Sequence, residues 1–354
     1  MKVLFYAYPM IGQNYGGLQL QITNTFTELV KLGIEVKLFD PWNDRIEDYD
    51  VFHSFYLGDL SVLPLVKRAK ELGKLVVMST VYNSALDYRK EKISYALSSI
   101  HSSLFSSKRV QKEIVQNVDY FIALSEFEKQ RILDIFKIPT RKVIVIPNGI
   151  STNFFSKDME DNLFEKKYGM KGFVLHVGQF TRNKNQIAII EAMKDMKEKL
   201  VMIGQPVEMD YYNECQNRLT ENMSILETLE NGSSELVDLY KAAGLFILPS
   251  FREAYPLTVL EAGVTGNKML ITKNCMLDKE DRLFDIEWIN PTDITNIKKW
   301  IEKNRNYTKK RLESEKIAQF KWKTVAEELI KVYRMDCNGI SPVSYTHLRA
   351  HETA

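Results

Sequence analysis

Short apolar runs alternate with helical patterns along most of the chain. In the first half the runs are Val3–Tyr8, Glu35–Phe39, Val51–Phe55, Leu75–Met78, Tyr120–Leu124 and Val143–Ile146. Runs this short, set between longer amphipathic segments, predict strands buried on both faces. The segments Leu18–Leu32, Leu60–Leu72 and Glu126–Phe136 carry apolar residues near a 3.6-residue period and predict helices. Strands separated by helices in this way imply a parallel, doubly wound sheet. Pro147-Asn148-Gly149 then interrupts the pattern with turn residues, and the polar stretch from Ser156 to Lys171 suits a linker. Beyond it the alternation restarts, with strands expected at Phe173–Val177, Leu200–Ile203, Ser224–Leu226, Leu245–Leu248 and Met269–Thr272. Helices are expected at Gln186–Met196, Glu235–Ala243 and Leu257–Val264, and a last periodic segment runs from about Thr308 to Arg334.

The fold class expected is therefore α/β, with two Rossmann-like domains at residues 1–150 and 151–319. A terminal helix is expected over residues 320–336, and 337–354 read as a disordered or non-native tail. The tail begins where the pattern gives way to Asn338-Gly339 and Ser341-Pro342, and it carries His347 and His351 without a carboxylate or cysteine ligand set around them. A length of 354 residues suits two domains. A hydrophobic share of 45% and a charged share of 27% are ordinary for a globular chain. The formal net charge of +2 gives no footprint for nucleic acid. Cys215, Cys275 and Cys337 are scattered and form no CxxC pair, which fits inert thiols in a reducing compartment. The apolar run Lys2–Pro9 is too short for a signal peptide, and no stretch approaches the ~20 residues of a membrane span. These features predict a cytoplasmic protein, or one peripheral on the cytosolic face of a membrane.

Three strand-to-helix junctions carry candidate chemistry. After the strand ending at Leu248, Glu253-Ala254-Tyr255-Pro256-Leu257-Thr258-Val259-Leu260-Glu261 places one glutamate in a loop and a second just over a turn inside a helix that opens near Pro256. Ligands of doubly wound sheets bind beyond the carboxyl ends of strands. There the amides of Leu257 and Thr258 suit a phosphate, Glu253 suits sugar hydroxyls, and Glu261 suits a ribose diol. The competing reading is a pair of solvated surface acids. At the second junction, Val177-Gly178-Gln179-Phe180-Thr181-Arg182-Asn183-Lys184-Asn185 brings Arg182 and Lys184 to a helix entrance, where cations stabilise a departing diphosphate. At the third, Gly12-Gln13-Asn14-Tyr15-Gly16-Gly17 follows the first strand and lets the backbone at Gly17 approach a ligand. It is not the GxGxxG fingerprint, which disfavours a dinucleotide-dependent dehydrogenase.

Together these stretches resemble the family 4 retaining glycosyltransferases, which have the GT-B fold. Asn117-Val118-Asp119-Tyr120-Phe121-Ile122-Ala123-Leu124-Ser125, Val145-Ile146-Pro147-Asn148-Gly149, Ala262-Gly263-Val264-Thr265-Gly266 and Phe320-Lys321-Trp322 add to the resemblance, which covers the chain to about Met335. It implies transfer of a sugar from a nucleoside diphosphate sugar, with retention, to a glycan, lipid-linked or small-molecule acceptor in cell-surface polysaccharide or glycolipid synthesis. It also implies a donor on the C-terminal domain, an acceptor on the N-terminal domain and a terminal helix that crosses back to the latter. Glu253 and Lys184 are then the candidate catalytic residues. Gly17, Gly178, Arg182, Lys184, Tyr255, Pro256, Leu257 and Glu261 are the candidate donor contacts. Family members commonly carry arginine where this chain has Gln179, and many have a cleft histidine where Tyr82 stands. Arg182 is expected to stand in for the first, and Tyr82 and His53 are acceptor-side candidates. A sugar-nucleotide epimerase of the same fold and a non-catalytic GT-B-like partner subunit are the alternatives.

No metal or other cofactor is expected. Asp48-Tyr49-Asp50 spells a DxD, but it precedes a strand and so points away from the cleft. His176 lies within an apolar strand and reads as core, whereas His101 is expected at the surface. Ile93, Leu97, Ile100 and Leu104 repeat at helical spacing among Arg89, Lys90, Lys92, Lys108, Arg109 and Lys112. The expectation is a helix packing this apolar stripe inward, with contact to an anionic membrane as the alternative.

Overall fold

The computed structural model describes residues 1–13, 16–82, 88–98, 106–156, 163–279, 283–309 and 312–335. Ile100, His101, Leu104, residues 14–15 of the glycine-rich loop and the tail from 336 lie outside the described residues. Two six-stranded parallel sheets face one another. The first has the order β2-β1-β3-β4-β5-β6, from β1 (Lys2–Tyr6), β2 (Glu35–Leu38), β3 (Val51–Phe55), β4 (Leu75–Ser79), β5 (Tyr120–Ala123) and β6 (Val143–Val145). Its helices are α1 (Gly17–Lys31), α2 (Leu63–Glu71), α3 (Tyr88–Leu97), α4 (Ser106–Asn117) and α5 (Glu126–Phe136). The second has the order β12-β11-β10-β7-β8-β9, from β7 (Val174–Val177), β8 (Leu200–Ile203), β9 (Met223–Leu226), β10 (Leu245–Leu248), β11 (Lys268–Thr272) and β12 (Ile286–Ile289). Its helices are α6 (Leu163–Tyr168), α7 (Gln186–Met193), α8 (Met209–Asn217), α9 (Ser234–Ala242), α10 (Leu257–Val264), α11 (Ile294–Asn304), α12 (Ser314–Ile317) and α13 (Trp322–Tyr333).

The period of two along each strand divides the core into three apolar clusters. Leu4, Phe52, Val76 and Phe121 pack outward under α2, α4 and α5, and Val174, Met202, Ile247 and Leu270 do the same under α7, α8 and α11. The alternate residues Phe5, Val77, Leu175 and Phe246 belong to a central cluster that also contains Trp322 and Tyr333 of α13. The last helix is thereby built into the core. It packs along α1. Its entry is fixed at Gly149, where a Cβ would lie 2.6 Å from the Trp322 ring, so no larger residue fits the crossing. There Ile150 N–H donates to the Phe320 carbonyl at 2.7 Å.

The structure departs from the sequence pattern at several points. The segment read as a linker contains α6, whose Phe164 is buried against Phe173. The last periodic segment is not one helix. Its described part breaks at Lys321, which bridges to Ile150 in β fashion before α13 begins. The short edge strand β12 and the helices α8 and α11 had not been anticipated. In α3 the inward face is Glu91 and Tyr95, continued by Ser98 just past its end, so Ile93 and Leu97 are left 58% and 38% exposed. The expectation that this stripe packs inward is corrected for those two residues, because a helix buries one face and polar Glu91 and Ser98 share it with Tyr95.

Candidate functional site

Parallel sheets place their strand-to-helix loops on one edge, and here the two carboxyl edges face each other across a cleft of about 300 Å³. Its N-terminal wall includes Gly16, Gly17, Gln21, Val81, Leu124 and Asn148, which lie in or next to the connections leaving β1, β4, β5 and β6. On the other side Gly178 and Lys184 follow β7, while Glu253, Tyr255, Pro256 and Leu257 follow β10. β7 and β10 are neighbours from which the chain winds in opposite directions. Lys184 and Glu253 thus meet at the switch point of the second sheet, with Lys184 Nζ 2.6 Å from Glu253 Oε1. Both side chains are largely buried.

Two features of the loops make this approach work. Gly204, after β8, lies so close to the β7 loop that a Cβ would stand 2.0 Å from the Gly178 carbonyl oxygen, so only glycine lets these backbones touch. Pro256 caps α10 and leaves the amides of Leu257 and Thr258, ahead of the first intrahelical hydrogen bond, at the cleft end of the helix. A helix N-terminus beside a lysine is a site for an anion.

Glu261, a turn further along α10, also lines the cleft but is 2% exposed. It accepts from the Tyr240 hydroxyl at 2.8 Å and from Asn231 Nδ2 at 3.0 Å. Burial pushes its carboxyl up to about 7, against those two hydrogen bonds. Asn231 and Tyr240 had not been singled out in the sequence, because their role exists only through a residue 21 or more positions away. Gln21 and Asn148 were missed for a different reason: one reads as a helix residue and the other as a turn. Both are buried in the cleft wall, and their amide oxygens, Gln21 Oε1 and Asn148 Oδ1, have no hydrogen-bond partner among the described residues. Buried orphan acceptors are rare and suit hydroxyl donors from a ligand.

The remaining candidates fall elsewhere. Arg182 does not line the cleft. It shares a single 3₁₀ turn with Lys184, and two residues at about 120° each point in different directions. Its guanidinium lies 2.8 Å from Asp210, 3.6 Å from Glu214 and 3.9 Å from Glu208, so it cannot replace the arginine that Gln179 lacks. His53 is no acceptor contact either. It sits at the centre of β3, fully buried, with Nδ1 2.6 Å from the Tyr333 hydroxyl and Nε2 2.9 Å from the Ser79 hydroxyl. Burial lowers its pKa to about 3, so the ring is neutral at ordinary pH. Tyr82 is displaced from the main cleft into a neighbouring cavity of about 180 Å³, where its hydroxyl donates to the buried Glu91. Val81, its neighbour, is the residue that reaches the main cleft. His176 is core, with Nδ1 2.9 Å from the Ile247 carbonyl oxygen. Asp50 accepts from the Lys2 amide at 2.7 Å, at the amino edge of the first sheet and opposite the cleft. Among the described residues no cluster of three or more His, Cys, Asp or Glu is placed to hold a metal.

Two family models divide the chain between them: Glycosyltransferase Family 4 over residues 15–154 and Glycosyl transferases group 1 over residues 158–319. The chain belongs to glycosyltransferase family 4. Among characterised relatives is the UDP-Gal:alpha-D-GlcNAc-diphosphoundecaprenol alpha-1,3-galactosyltransferase of Escherichia coli, 27% identical over 68% of this chain and 63% of that one. Another is the O-antigen chain mannosyltransferase B of Escherichia coli, 25% identical over 50% of this chain and 46% of that one. The chain spans about three fifths of the length of the first curated relatives it matches. The GT-B fold of this chain is shared with the sucrose-phosphate synthase of Thermosynechococcus elongatus, at a TM-score of 0.73 and 16% identity over 96% of this chain and 100% of that one. It is shared too with Anabaena HepE, solved with UDP and glucose, at a TM-score of 0.64 and 14% identity over 97% and 100% of the two chains.

Proposed function

We propose that this glycosyltransferase moves a sugar from a nucleoside diphosphate sugar to a hydroxyl of a glycan or lipid-linked acceptor, with retention at the anomeric carbon. The observation that carries the reading is the Lys184–Glu253 pair at the switch point, beside the N-terminus of α10 and one turn from Glu261. In this reading the bond from the anomeric carbon to the diphosphate breaks and the diphosphate leaves with the electron pair. The acceptor oxygen bonds to that carbon, and its proton departs with the leaving group. Lys184 and the α10 amides meet the growing negative charge, which is where fixed cations and dipoles act most strongly. Glu253 receives sugar hydroxyls and Glu261 the ribose diol. The acceptor approaches from the wall formed by Gln21, Val81 and Asn148. The positive potential of Lys184 and α10 supports turnover without a metal, and activity that survives EDTA is the result expected.

The acceptor class rests on the relatives, whose names record a diphosphoundecaprenol-linked acceptor and an O-antigen chain. No helix among the described residues is long and apolar enough to cross a membrane. Peripheral contact on the cytoplasmic face is supported by the exposed Ile93 and Leu97 beside Arg89 and Lys90. It is supported also by an adjoining cavity of about 530 Å³, with an apolar floor at Tyr95, Ile135 and Phe136 and with Lys92, Lys137 and Lys142 in its wall. Apolar side chains flanked by cations suit an anionic bilayer. Co-sedimentation with phosphatidylglycerol vesicles, lost in Ile93→Glu/Leu97→Glu, is expected.

The main test is thermal shift against UDP, GDP and ADP. A nucleotide at 100 times its dissociation constant should add about 2.7 kcal/mol of stability. The matching sugar nucleotide should then release nucleoside diphosphate in proportion to glycosylated acceptor. Conversion of the donor with no acceptor present would mean that the cleft does other chemistry.

A further inference from the structure

The Glu253 loop is not held by its own domain alone. Glu253 N–H donates to the Asn274 carbonyl at 2.9 Å, and Met276 N–H donates to the Ala254 carbonyl at 2.8 Å. The segment after β11 therefore runs alongside the donor loop as a second strand of support. It continues across the cleft. The Met276 side chain packs on the outer apolar cluster of the first sheet, and its carbonyl accepts from the Ser125 hydroxyl. Two residues on, Asp278 accepts from the amides of Phe127 at 2.7 Å and Glu126 at 3.3 Å. These are first-turn amides of α5, so a carboxylate from one domain completes the helix end of the other. Lys279 lies 5.2 Å from the centre of the Phe127 ring on the same contact.

That same first turn holds the opposite wall of the cleft. Glu128, buried to 1% exposure, accepts from Thr80 Oγ1 at 2.5 Å, from the Tyr82 amide at 2.8 Å and from the Leu124 amide at 2.6 Å. Between Thr80 and Tyr82 stands Val81, with φ of 40°, a conformation costly for a β-branched residue that the Glu128 contacts on either side fix in place. Val81 and Leu124 both line the cleft.

We infer that the first turn of α5 is a common mount for the two cleft walls, and that Asp278 is the positioning residue that sets the Glu253 loop against Val81 and Leu124. Glu261, held by Tyr240 and Asn231, lies outside this chain of contacts, and Lys184 meets it through its ion pair with Glu253, so the nucleotide half of the site depends on it less than the sugar half does. The inference rests on the glycosyltransferase reading for what the positioning serves: holding the donor sugar over the acceptor oxygen at reacting distance.

The test is Asp278→Ala, with Asp278→Asn as the conservative variant that keeps an acceptor oxygen for Phe127. Hydrogen exchange of the ligand-free protein comes first. In Asp278→Ala the amides at 253–255 and at 80–82 should exchange about tenfold faster at an unchanged melting temperature, and Asp278→Asn should stay close to the parent. With whichever of UDP, GDP or ADP binds, affinity should hold within about twofold. The turnover number should fall by about ten- to a hundredfold with little change in the donor Michaelis constant, because misplacement by an ångström is felt in the reacting geometry. Unchanged exchange in both segments overturns the inference. So does a uniform rise across the chain with a lower melting temperature, since Asp278 would then be an ordinary structural contact. Failure of all three nucleotides to bind counts against the glycosyltransferase reading alone, because the exchange measurements decide the mount without them.

Discussion

Lys184 Nζ and Glu253 Oε1 lie 2.6 Å apart, so the cation expected to meet a diphosphate and the carboxylate expected to meet a sugar are each other's partner. A diphosphate that draws Lys184 toward itself loosens Glu253 at the same moment, and the two residues act as a unit. Lys184→Ala should therefore lower the turnover number by about two orders of magnitude, more than it raises the donor Michaelis constant. In a double-mutant cycle with Glu253→Ala the losses should be non-additive by about 1–3 kcal/mol. Steady-state kinetics on the three variants measure this. A change confined to the Michaelis constant would show uniform binding and remove the leaving-group role.

Glu261 makes the protein sensitive to pH. Its carboxyl is raised to about 7 in the folded state, against 4.5 for the free group. Between those values the folded state binds the extra proton. Stability from this group is complete below the lower value and is lost as pH rises through about 7, on the order of 3 kcal/mol. Glu261→Gln should flatten the melting temperature between pH 5 and pH 8. Nucleotide affinity in the parent should move the opposite way, rising with pH across about 7, because a ribose diol donates best to the ionised carboxylate. Titration calorimetry at several pH values follows the second effect, and an affinity that ignores pH would separate Glu261 from the ribose.

Gln21 offers a cleaner test of acceptor recognition, since its buried amide oxygen has no partner among the described residues to lose. Gln21→Leu should leave stability unchanged or raise it by about 1 kcal/mol, because removing an unsatisfied buried polar group costs little. It should reduce kcat/KM for the acceptor by about tenfold, the value of one hydrogen bond, and spare the affinity for the free nucleoside diphosphate. Loss of nucleoside diphosphate binding would put Gln21 on the phosphate side instead.

Arg182 is expected to be silent. It is more than half exposed and paired with acids on and beside α8. Arg182→Ala should leave the melting temperature close to the parent's, as for other surface ion pairs, and leave both kinetic constants alone. Kinetics like those of Lys184→Ala would mean that the loop reorganises when the donor binds.

The architecture was legible because its signals are local. Eleven of the strands follow from short apolar runs, and Glu126–Phe136 and Leu257–Val264 were read with their observed bounds. Glu253, Glu261, Lys184 and Gly17 were legible as cleft residues because strand-to-helix junctions must lie on the carboxyl edge. What stayed hidden depends on direction and on distant partners. A histidine in a strand buried on both faces looks the same in sequence whether it ends the strand or, like His53, fills its centre. Arg182 and Lys184 look equivalent as neighbours, and only the 3₁₀ turn separates their directions. The exposed Ile93 and Leu97 were misread because periodicity shows that a stripe exists but not which way it faces. Asp278 has no local signal at all, since its partners are 151 and 152 positions earlier.

The contact between His53 and Tyr333 joins positions 280 apart in the chain. A protein is made from one end, at about 5–20 residues per second, so Tyr333 follows His53 by roughly 14 to 56 s. Once β6 has been made at Val145, the first sheet waits for the rest of that interval without α13, which completes the cover of its inner face around Phe5 and Val77. The half of the chain that is synthesised first is therefore the half completed last. Its exposed inner face is the surface on which a chaperone, or another nascent chain, has time to act.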